Sequence, residues 1–347
     1  MLVGCDVGEP EPPNPLGPPV QLLALYPADG EGVDCDASSA EDCGVATNAS
    51  ITLRFDRFLD PASVNRQAIR VFTGDPGGGA ALPPFDVAYD PVERVVEFKI
   101  PPGYGYAPRA LYHLELLVPT EADGSGIRAF DGAPIAAGDV PLSASFFTAQ
   151  GPGEVRVREA PSCDEILSEV LANPAVGGCG SAECHRGVGN SLGAAPEGLW
   201  LDGRANLRTT AIGRVAHETE FGDSAGVALQ NSPRFGVQMP IIDPKNPGNS
   251  YLMYKLLRQP KNFEPCLAGA SSAVCDAPND PCSSDYPLLP LPEGECLQPS
   301  QEESDRLREW FVRGDPMPLQ RGAERSVRLS GLRAIAAFIA DGADCSD

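Results

Sequence analysis

The apolar residues of this chain change their spacing near residue 150, and this change limits the possible folds more than any other feature of the sequence. Before it they alternate with polar residues, as from Ile51 to Phe55, which is typical of β-strands with one buried face. After it they recur every three or four positions, as at Ile166 and Val170, which is typical of amphipathic helices. The sequence therefore predicts a β part over residues 21–150 and a mainly α part over 151–347.

Individual elements can be placed within these two parts. Alternating segments also run from Val96 to Ile100 and from Tyr112 to Val118. Ser162 and Glu165 form the Ser-x-x-Glu pattern that begins a helix, and a last amphipathic helix is predicted over 330–340. A chain of 347 residues with 42% hydrophobic content is long enough to bury two cores. We therefore expect a multidomain β + α protein.

The chain is strongly acidic. Its 26 Lys and Arg residues stand against 48 Asp and Glu residues, which gives a formal net charge of −22. Such a field repels phosphate backbones and anionic lipid surfaces. Nucleic acid is therefore not an expected partner. No segment approaches the ~20 apolar residues that a membrane-spanning helix needs, so any membrane attachment is expected to be a lipid anchor.

The cysteine content predicts export. Eleven cysteines are many for a protein of the reducing cytosol. Leu2-Val3-Gly4-Cys5 resembles a bacterial lipobox, in which Cys5 would carry the lipid, although a chance match is the alternative. A full signal has an apolar region of about 7–15 residues before this point, so the true start is expected upstream of Met1. Residues 1–20 are therefore interpreted as a lipobox remnant and a Pro-rich tether that holds the protein in the cell envelope, in the periplasm or at the outer-membrane surface.

Two cysteines of the β part flank an acidic loop. Cys35 and Cys43 are close enough in sequence for a local disulfide to join them. The acidic residues between and beside them are an alternative site for calcium, but their spacing does not match that of an EF-hand loop. A disulfide that fixes the loop is the expected role.

The β part resembles the bacterial Ig-like domains of the SbsA type over almost its whole length. This resemblance implies an Ig-like β-sandwich that serves as a spacer or an adhesive module and has no chemistry of its own. It depends on sequence landmarks that occur in the order Tyr26-Pro27-Ala28-Asp29-Gly30, Ile51 to Asp56, Leu59 to Val64, Tyr112 to Leu116, Asp131-Gly132 and Ser145 to Thr148.

The α part carries one Cys-x-x-x-x-Cys-His sequence, from Cys179 through Cys184 to His185. In c-type cytochromes two thiols bind the haem vinyl groups and the adjacent histidine is the proximal iron ligand. The usual spacing places two residues between the cysteines, whereas this chain has four. The motif predicts one haem c, with Cys179 and Cys184 as thioether attachments and His185 as proximal ligand.

The surrounding sequence is similar to the cytochrome c-like domains of envelope lipoproteins in myxobacteria and related lineages. The similarity covers most of residues 163–318 and implies a cytochrome c-like fold with long loops. It includes Gly198 to Leu201, the Pro-Gly-x-Ser-Tyr-Leu-x-x-Lys-Leu segment at 247–256 and a terminal Trp-x-x-x-Gly helix at 310–314. One departure is that Leu289-Pro290 stands where the family has Met-Pro.

That departure leaves the distal iron ligand open. Met239, which Pro240 follows, is the first candidate, Met317 is the second and His217 is the third. Met239 and Met253 could instead fill gaps in the core, as methionines commonly do. A vacant sixth position is a further alternative and would permit small-ligand or peroxide chemistry.

The remaining cysteines are expected to form disulfides, since removal of Cys5, Cys179 and Cys184 leaves an even number. Their connectivity in the α part is not decidable from sequence, because six cysteines allow 15 pairings. A disulfide-rich insertion is expected at about 260–297. The disulfide candidates are Cys35, Cys43, Cys163, Cys266, Cys275, Cys282, Cys296 and Cys345.

Together these features predict an envelope-anchored c-type haem protein that transfers electrons to a redox partner protein or senses a small molecule. The alternative is a disulfide-stabilised structural or binding lipoprotein without haem, with another envelope component as its partner. A zinc site formed by the two thiolates and a histidine is a third hypothesis. We find no sequence pattern of a hydrolase or of a phosphate-binding loop, so enzymatic activity beyond a peroxidase-like reaction is not expected.

Overall fold

In the computed structural model, the described residues lie between positions 16 and 346. They are 16–35, 42–74, 82–119, 125–154, 160–171, 179, 185–186, 198–220, 227–228, 235–258, 289, 299–312, 317, 327 and 329–346. Within them the chain forms eight strands, all before residue 150, and five α-helices, all after it. The predicted division into a β part and an α part is therefore confirmed, and these parts are called the β region and the helical region below.

The β region consists of two sheets. In the larger one the strand order is β4-β5-β2-β1-β7, and all pairs are antiparallel except β1 with β7. The smaller one has the antiparallel order β3-β6-β8. The strands are β1 (Val20–Tyr26), β2 (Ile51–Phe55), β3 (Ile69–Phe72), β4 (Asp86–Asp90), β5 (Val95–Lys99), β6 (Leu111–Leu116), β7 (Ile135–Ala136) and β8 (Ser143–Phe147).

The alternating apolar residues direct the two sheets toward a shared core. Leu53 of β2, Phe98 of β5 and Leu114 of β6 belong to one hydrophobic cluster, so residues of both sheets are buried together, which stabilises paired sheets. The alternating pattern overestimated the length of one strand. It extends to Val118, but β6 ends at Leu116 and Val118 is 48% exposed.

Strand β2 departs from the expected single buried face, since all five of its residues are buried. Arg54 is fully buried and lies 3.6 Å from the carboxylate of Glu93. The same carboxylate accepts a 2.6 Å hydrogen bond from Arg333 of the helical region. The face of β2 that the sequence assigns to solvent is therefore covered by the other half of the chain.

The helical region begins at a capped helix. The Ser162 hydroxyl accepts a hydrogen bond from the Glu165 backbone N–H, and the Glu165 carboxylate accepts one from the Ser162 backbone N–H, so the predicted capping box is confirmed. The helices are α1 (Cys163–Glu165), which continues as a π-helical segment (Ile166–Leu171), α2 (Arg204–Thr210), α3 (Tyr251–Leu257), α4 (Gln301–Trp310) and α5 (Leu329–Asp341).

Two disulfides are formed by described residues. One joins Cys35 to Cys43, as predicted, and the other joins Cys163 at the start of α1 to Cys345 just after α5. Disulfides of this kind are compatible with an exported protein. No helix of the described residues has the length and apolarity needed to cross a bilayer.

The β region and the helical region share aromatic packing. Phe58 and Phe130 of the β region belong to the main core of the helical region. The Phe58 ring centroid lies 5.6 Å from that of Tyr254, and the Phe130 centroid lies 5.8 Å from Phe235 and 5.4 Å from Phe311, all edge to face. Burial of these large rings contributes strongly to stability, so the two regions are expected to unfold together.

A buried ion pair reinforces this contact. Glu303 of α4 accepts a 2.7 Å hydrogen bond from the Phe58 backbone N–H and pairs with Arg94 at 2.9 Å. Both charged side chains are at most 3% exposed. The Arg94 guanidinium also lies 4.5 Å from the centre of the Phe58 ring. Each charged group is thus compensated by a partner from the other region.

Asp60 gives the contact between the regions a dependence on pH. Its carboxylate accepts hydrogen bonds from the backbone N–H groups of Ala62 and, in the helical region, of Phe235. Burial raises the pKa of Asp60 to about 7, although these bonds and the Arg128 charge partly oppose the rise. The native state therefore binds a proton that the unfolded chain releases above a pKa of about 3.9.

We accordingly expect Asp60 to make the protein less stable as pH rises from about 4 to about 7, and to have no further effect above that range. The free energy of unfolding should fall by roughly 2–4 kcal/mol more in the wild type than in Asp60→Asn. Urea denaturation at pH 4.5 and pH 8 measures the difference. Asp86→Asn, which removes an exposed carboxylate of β4, is the control. An equal change in the free energy of unfolding between pH 4.5 and pH 8 for wild type and Asp60→Asn would contradict the prediction.

Candidate functional site

The described part of the cysteine and histidine motif is buried in the helical region. Cys179 is 5% exposed and His185 is 7% exposed. The His185 backbone N–H donates a 2.9 Å hydrogen bond to the Cys179 carbonyl oxygen. This bond brings the backbones of these two residues together. Cys184 lies outside the described residues.

The segment from Leu199 to Leu201 holds the His185 ring in place. The Nδ1 atom of His185 lies 3.0 Å from the Leu199 carbonyl oxygen, and the Leu201 backbone N–H donates to the His185 carbonyl oxygen at 2.8 Å. The segment is itself fixed to α2, because the Thr210 hydroxyl bonds both the N–H and the carbonyl of Trp200. A carbonyl partner requires a proton on Nδ1, so Nε2 is the nitrogen that keeps a lone pair for a metal.

The surroundings of His185 favour its neutral form. Burial lowers the pKa of the imidazole, and the positive charge of Lys255 lowers it further, while the hydrogen bond to Leu199 acts in the opposite direction. A neutral imidazole is the form that binds metal ions. The site therefore presents a metal-binding nitrogen without the need to remove a proton at neutral pH.

His185 and Cys179 line a cavity of about 770 Å³. This volume lies in the range of small-molecule and cofactor sites, and such sites have mostly apolar walls with a few placed polar groups. The apolar wall here includes Leu199, Leu201, Ile241, Leu252 and Leu256. A ligand with a largely apolar surface is the class of molecule that this part of the wall suits.

The structure separates the three candidate distal ligands. Met317 lines the cavity and its backbone N–H donates to the Lys255 carbonyl oxygen at 3.2 Å. Met239, the first candidate from sequence, is not among the cavity-lining residues and is 1% exposed in the core. Its backbone N–H and carbonyl bond Thr219 and Ala216. The geometry therefore favours Met317 over Met239.

His217 also lines the cavity but is less suited to bind a buried metal. Its side chain is 73% exposed, and its Nδ1 lies 2.7 Å from Glu220. The third histidine, His113, lies in β6, where its Nδ1 contacts the Ser145 hydroxyl at 2.8 Å. Among the three histidines, His185 alone combines burial with a place in the cavity wall.

Several polar residues of the cavity wall were not predicted as site residues, and three of them, Glu218, Tyr251 and Lys255, form one hydrogen-bonded group. Tyr251 and Lys255 lie one turn apart on α3, and both donate hydrogen bonds to Glu218. The available sequence signal was a lysine in the middle of an otherwise apolar helix. The amphipathic pattern alone would place Lys255 in solvent, but the structure shows that it is buried.

Several predicted residues cannot be placed. Within the described positions, no group of three or more His, Cys, Asp and Glu side chains could hold a metal ion, so the zinc hypothesis gains no support there. The Leu289 side chain is fully buried. The predicted site and disulfide residues that lie outside the described residues are Cys5, Cys184, Cys266, Cys275, Cys282 and Cys296.

Comparison with known proteins does not assign the chain to a family. No protein-family model matches the sequence, and no curated protein is significantly similar to it. The function must therefore be argued from the cavity and its residues.

Proposed function

We propose that this chain is an exported c-type haem protein that transfers electrons, with His185 as the proximal iron ligand. The observation that carries the proposal is the Leu199 carbonyl on Nδ1 of His185, which leaves Nε2 for the metal in an apolar cavity. Metal-binding histidines almost always donate their other ring N–H to such an acceptor. Haem, when bound, supplies a one-electron redox couple.

The other wall residues fit this group. Cys179, one of the two proposed thioether attachments, lines the same cavity as His185. Leucine and isoleucine side chains exclude water from the site and thereby favour tight binding of an apolar macrocycle. Met317 is the proposed sixth ligand, because its thioether belongs to the same wall. Two protein ligands would favour electron transfer over the binding of small molecules, which is why sensing is not the leading proposal.

The remainder of the chain would place the haem domain in the envelope. We propose that the β region is an Ig-like domain of the SbsA type and that Cys5 carries a lipid anchor. The partner would be a redox protein of the same compartment. Since the β region shares a core with the helical region, it would act as a structural support for the haem domain in addition to any spacer role.

The test is a pyridine haemochrome spectrum of protein made in a host with active cytochrome c maturation. We expect one covalently bound haem per chain in the wild type. The His185→Ala and Cys184→Ser variants should lose at least about tenfold in haem content, because each removes a ligand or an attachment. His113→Ala is the matched control, since it removes a histidine from β6, and it should retain the haem.

Two results would decide against the proposal. One is a colourless wild-type protein from cells that mature a reference cytochrome normally. The other is equal haem content in His185→Ala and His113→Ala. Either result would favour the disulfide-stabilised binding or structural lipoprotein.

A further inference from the structure

Charged residues form part of the cavity wall, and Lys255 and Glu218 are two of them. Lys255 donates to one carboxylate oxygen of Glu218 at 3.3 Å, and the Tyr251 hydroxyl donates to the other. All three residues line the cavity with His185. The cavity thus contains a fixed positive and a fixed negative charge beside the proposed redox centre.

The two charges are not equally screened by water. The Lys255 side chain is 10% exposed, whereas that of Glu218 is 37% exposed. Electrostatic interactions are stronger where the local dielectric constant is low. The cavity interior therefore experiences more of the lysine charge than of the carboxylate charge.

Lys255 shares this wall with His185, the residue that would hold the redox group. A positive charge in the wall would stabilise the reduced form of a group bound to Nε2, because Coulomb interactions are strong where water is excluded. Reduction adds one electron and lowers the net charge of that group by one.

We propose that the Lys255 and Glu218 pair sets the reduction potential of the redox group held by His185, with Lys255 stabilising the reduced state and Glu218 opposing it. This inference rests on the proposed function, because it requires haem in the cavity. Both residues would act on the redox group through the electrostatic field in the cavity.

The test is a redox titration of the haem-loaded full chain. Lys255→Met should shift the equilibrium toward the oxidised form on the order of tenfold, or about 59 mV for a one-electron couple. Glu218→Gln should shift it toward the reduced form by roughly threefold, because its charge is more screened. The two shifts have opposite signs, which a general loss of packing would not produce.

Two further variants serve as controls. Lys255→Arg keeps the charge and should stay close to the wild-type potential. Lys99→Met removes the same charge from an exposed position on β5 and should leave the potential unchanged. All four variants keep the backbone bond from Met317 to the Lys255 carbonyl oxygen, so the proposed distal ligand retains its anchor.

Haem content is measured before each titration, which separates the two hypotheses. If the wild type binds no haem, both the proposed function and this inference fail. If haem is bound and Lys255→Met shifts the potential no more than Lys99→Met, or in the same direction as Glu218→Gln, the inference fails and the proposed function stands. If Lys255→Met does not load haem, Glu218→Gln tests the inference alone. A shift of its potential toward the reduced form supports the inference, and no shift or a shift toward the oxidised form contradicts it.

Discussion

Replacement of Glu303 by Ala should lower the free energy of unfolding by about 3–5 kcal/mol, since it breaks a buried ion pair from one side. The variant leaves the Arg94 guanidinium, 2% exposed, without its carboxylate partner. It also removes the acceptor of the Phe58 backbone N–H, and a buried donor without a partner adds its own cost. Urea or guanidinium denaturation measures the change.

The neighbouring residue offers a matched control. Glu302 is on the same helix and pairs with Arg306, but its side chain is 63% exposed. Exposed pairs of this kind typically contribute about 0–1 kcal/mol, so Glu302→Ala should have little effect. If Glu303→Ala costs no more than Glu302→Ala, the ion pair between the two regions is not a stabilising contact.

A double replacement distinguishes the loss of stability caused by breaking the ion pair from the net contribution of the intact pair to the free energy of unfolding. Arg94→Met with Glu303→Leu removes both charges and keeps apolar volume at the contact. Such exchanges are often neutral or stabilising because desolvation of two charges is costly. We therefore expect the double variant to be closer to wild type than Glu303→Ala alone.

The elements that the sequence predicted well are those governed by local pattern. Alternation located β2 and β5, the Ser162 and Glu165 pair located the first helix, and apolar periodicity located α5. Each of these signals comes from residues within about one turn or one strand of one another, so no knowledge of distant partners is needed.

The failures of the sequence prediction involve distant partners. Arg54 alternates with apolar neighbours and was therefore placed in solvent, yet it is buried against Glu93, which in turn bonds Arg333. Nothing local to residue 54 indicates that a helix near the end of the chain covers this face. Trp310 shows the opposite case, because this large apolar residue at the end of α4 is 36% exposed.

The candidate site shows the same contrast between what local sequence predicts and what depends on distant contacts. The motif of adjacent residues identified Cys179 and His185, and the structure places both in one cavity wall. Both methionines are followed by proline in the sequence, and backbone bonds join both neighbourhoods to α3, but only Met317 of the two lines the cavity. Local sequence could not separate them, whereas the cavity does.

Removal of the Cys163 to Cys345 disulfide should cost about 3–5 kcal/mol, most of it through the unfolded state. The two cysteines are 182 positions apart, and the loss of chain entropy on cross-linking grows with the length of the closed loop, to about 5 kcal/mol for a loop of this size. The Cys163→Ala/Cys345→Ala variant is preferable to a reductant, because a reductant would also act on the other cysteines. Chemical denaturation measures the cost.

The second disulfide provides the comparison that tests this explanation. Cys35 and Cys43 are separated by 8 positions, for which the same entropy relation gives about 2.5 kcal/mol. The Cys35→Ala/Cys43→Ala variant removes the same chemical bond from a much shorter loop. If it destabilises the protein as much as the long-range pair does, loop length does not determine the effect. If the long-range variant is the less stable one and still unfolds in a single transition, the closure of α1 onto the end of α5 stabilises both regions, because they share one core.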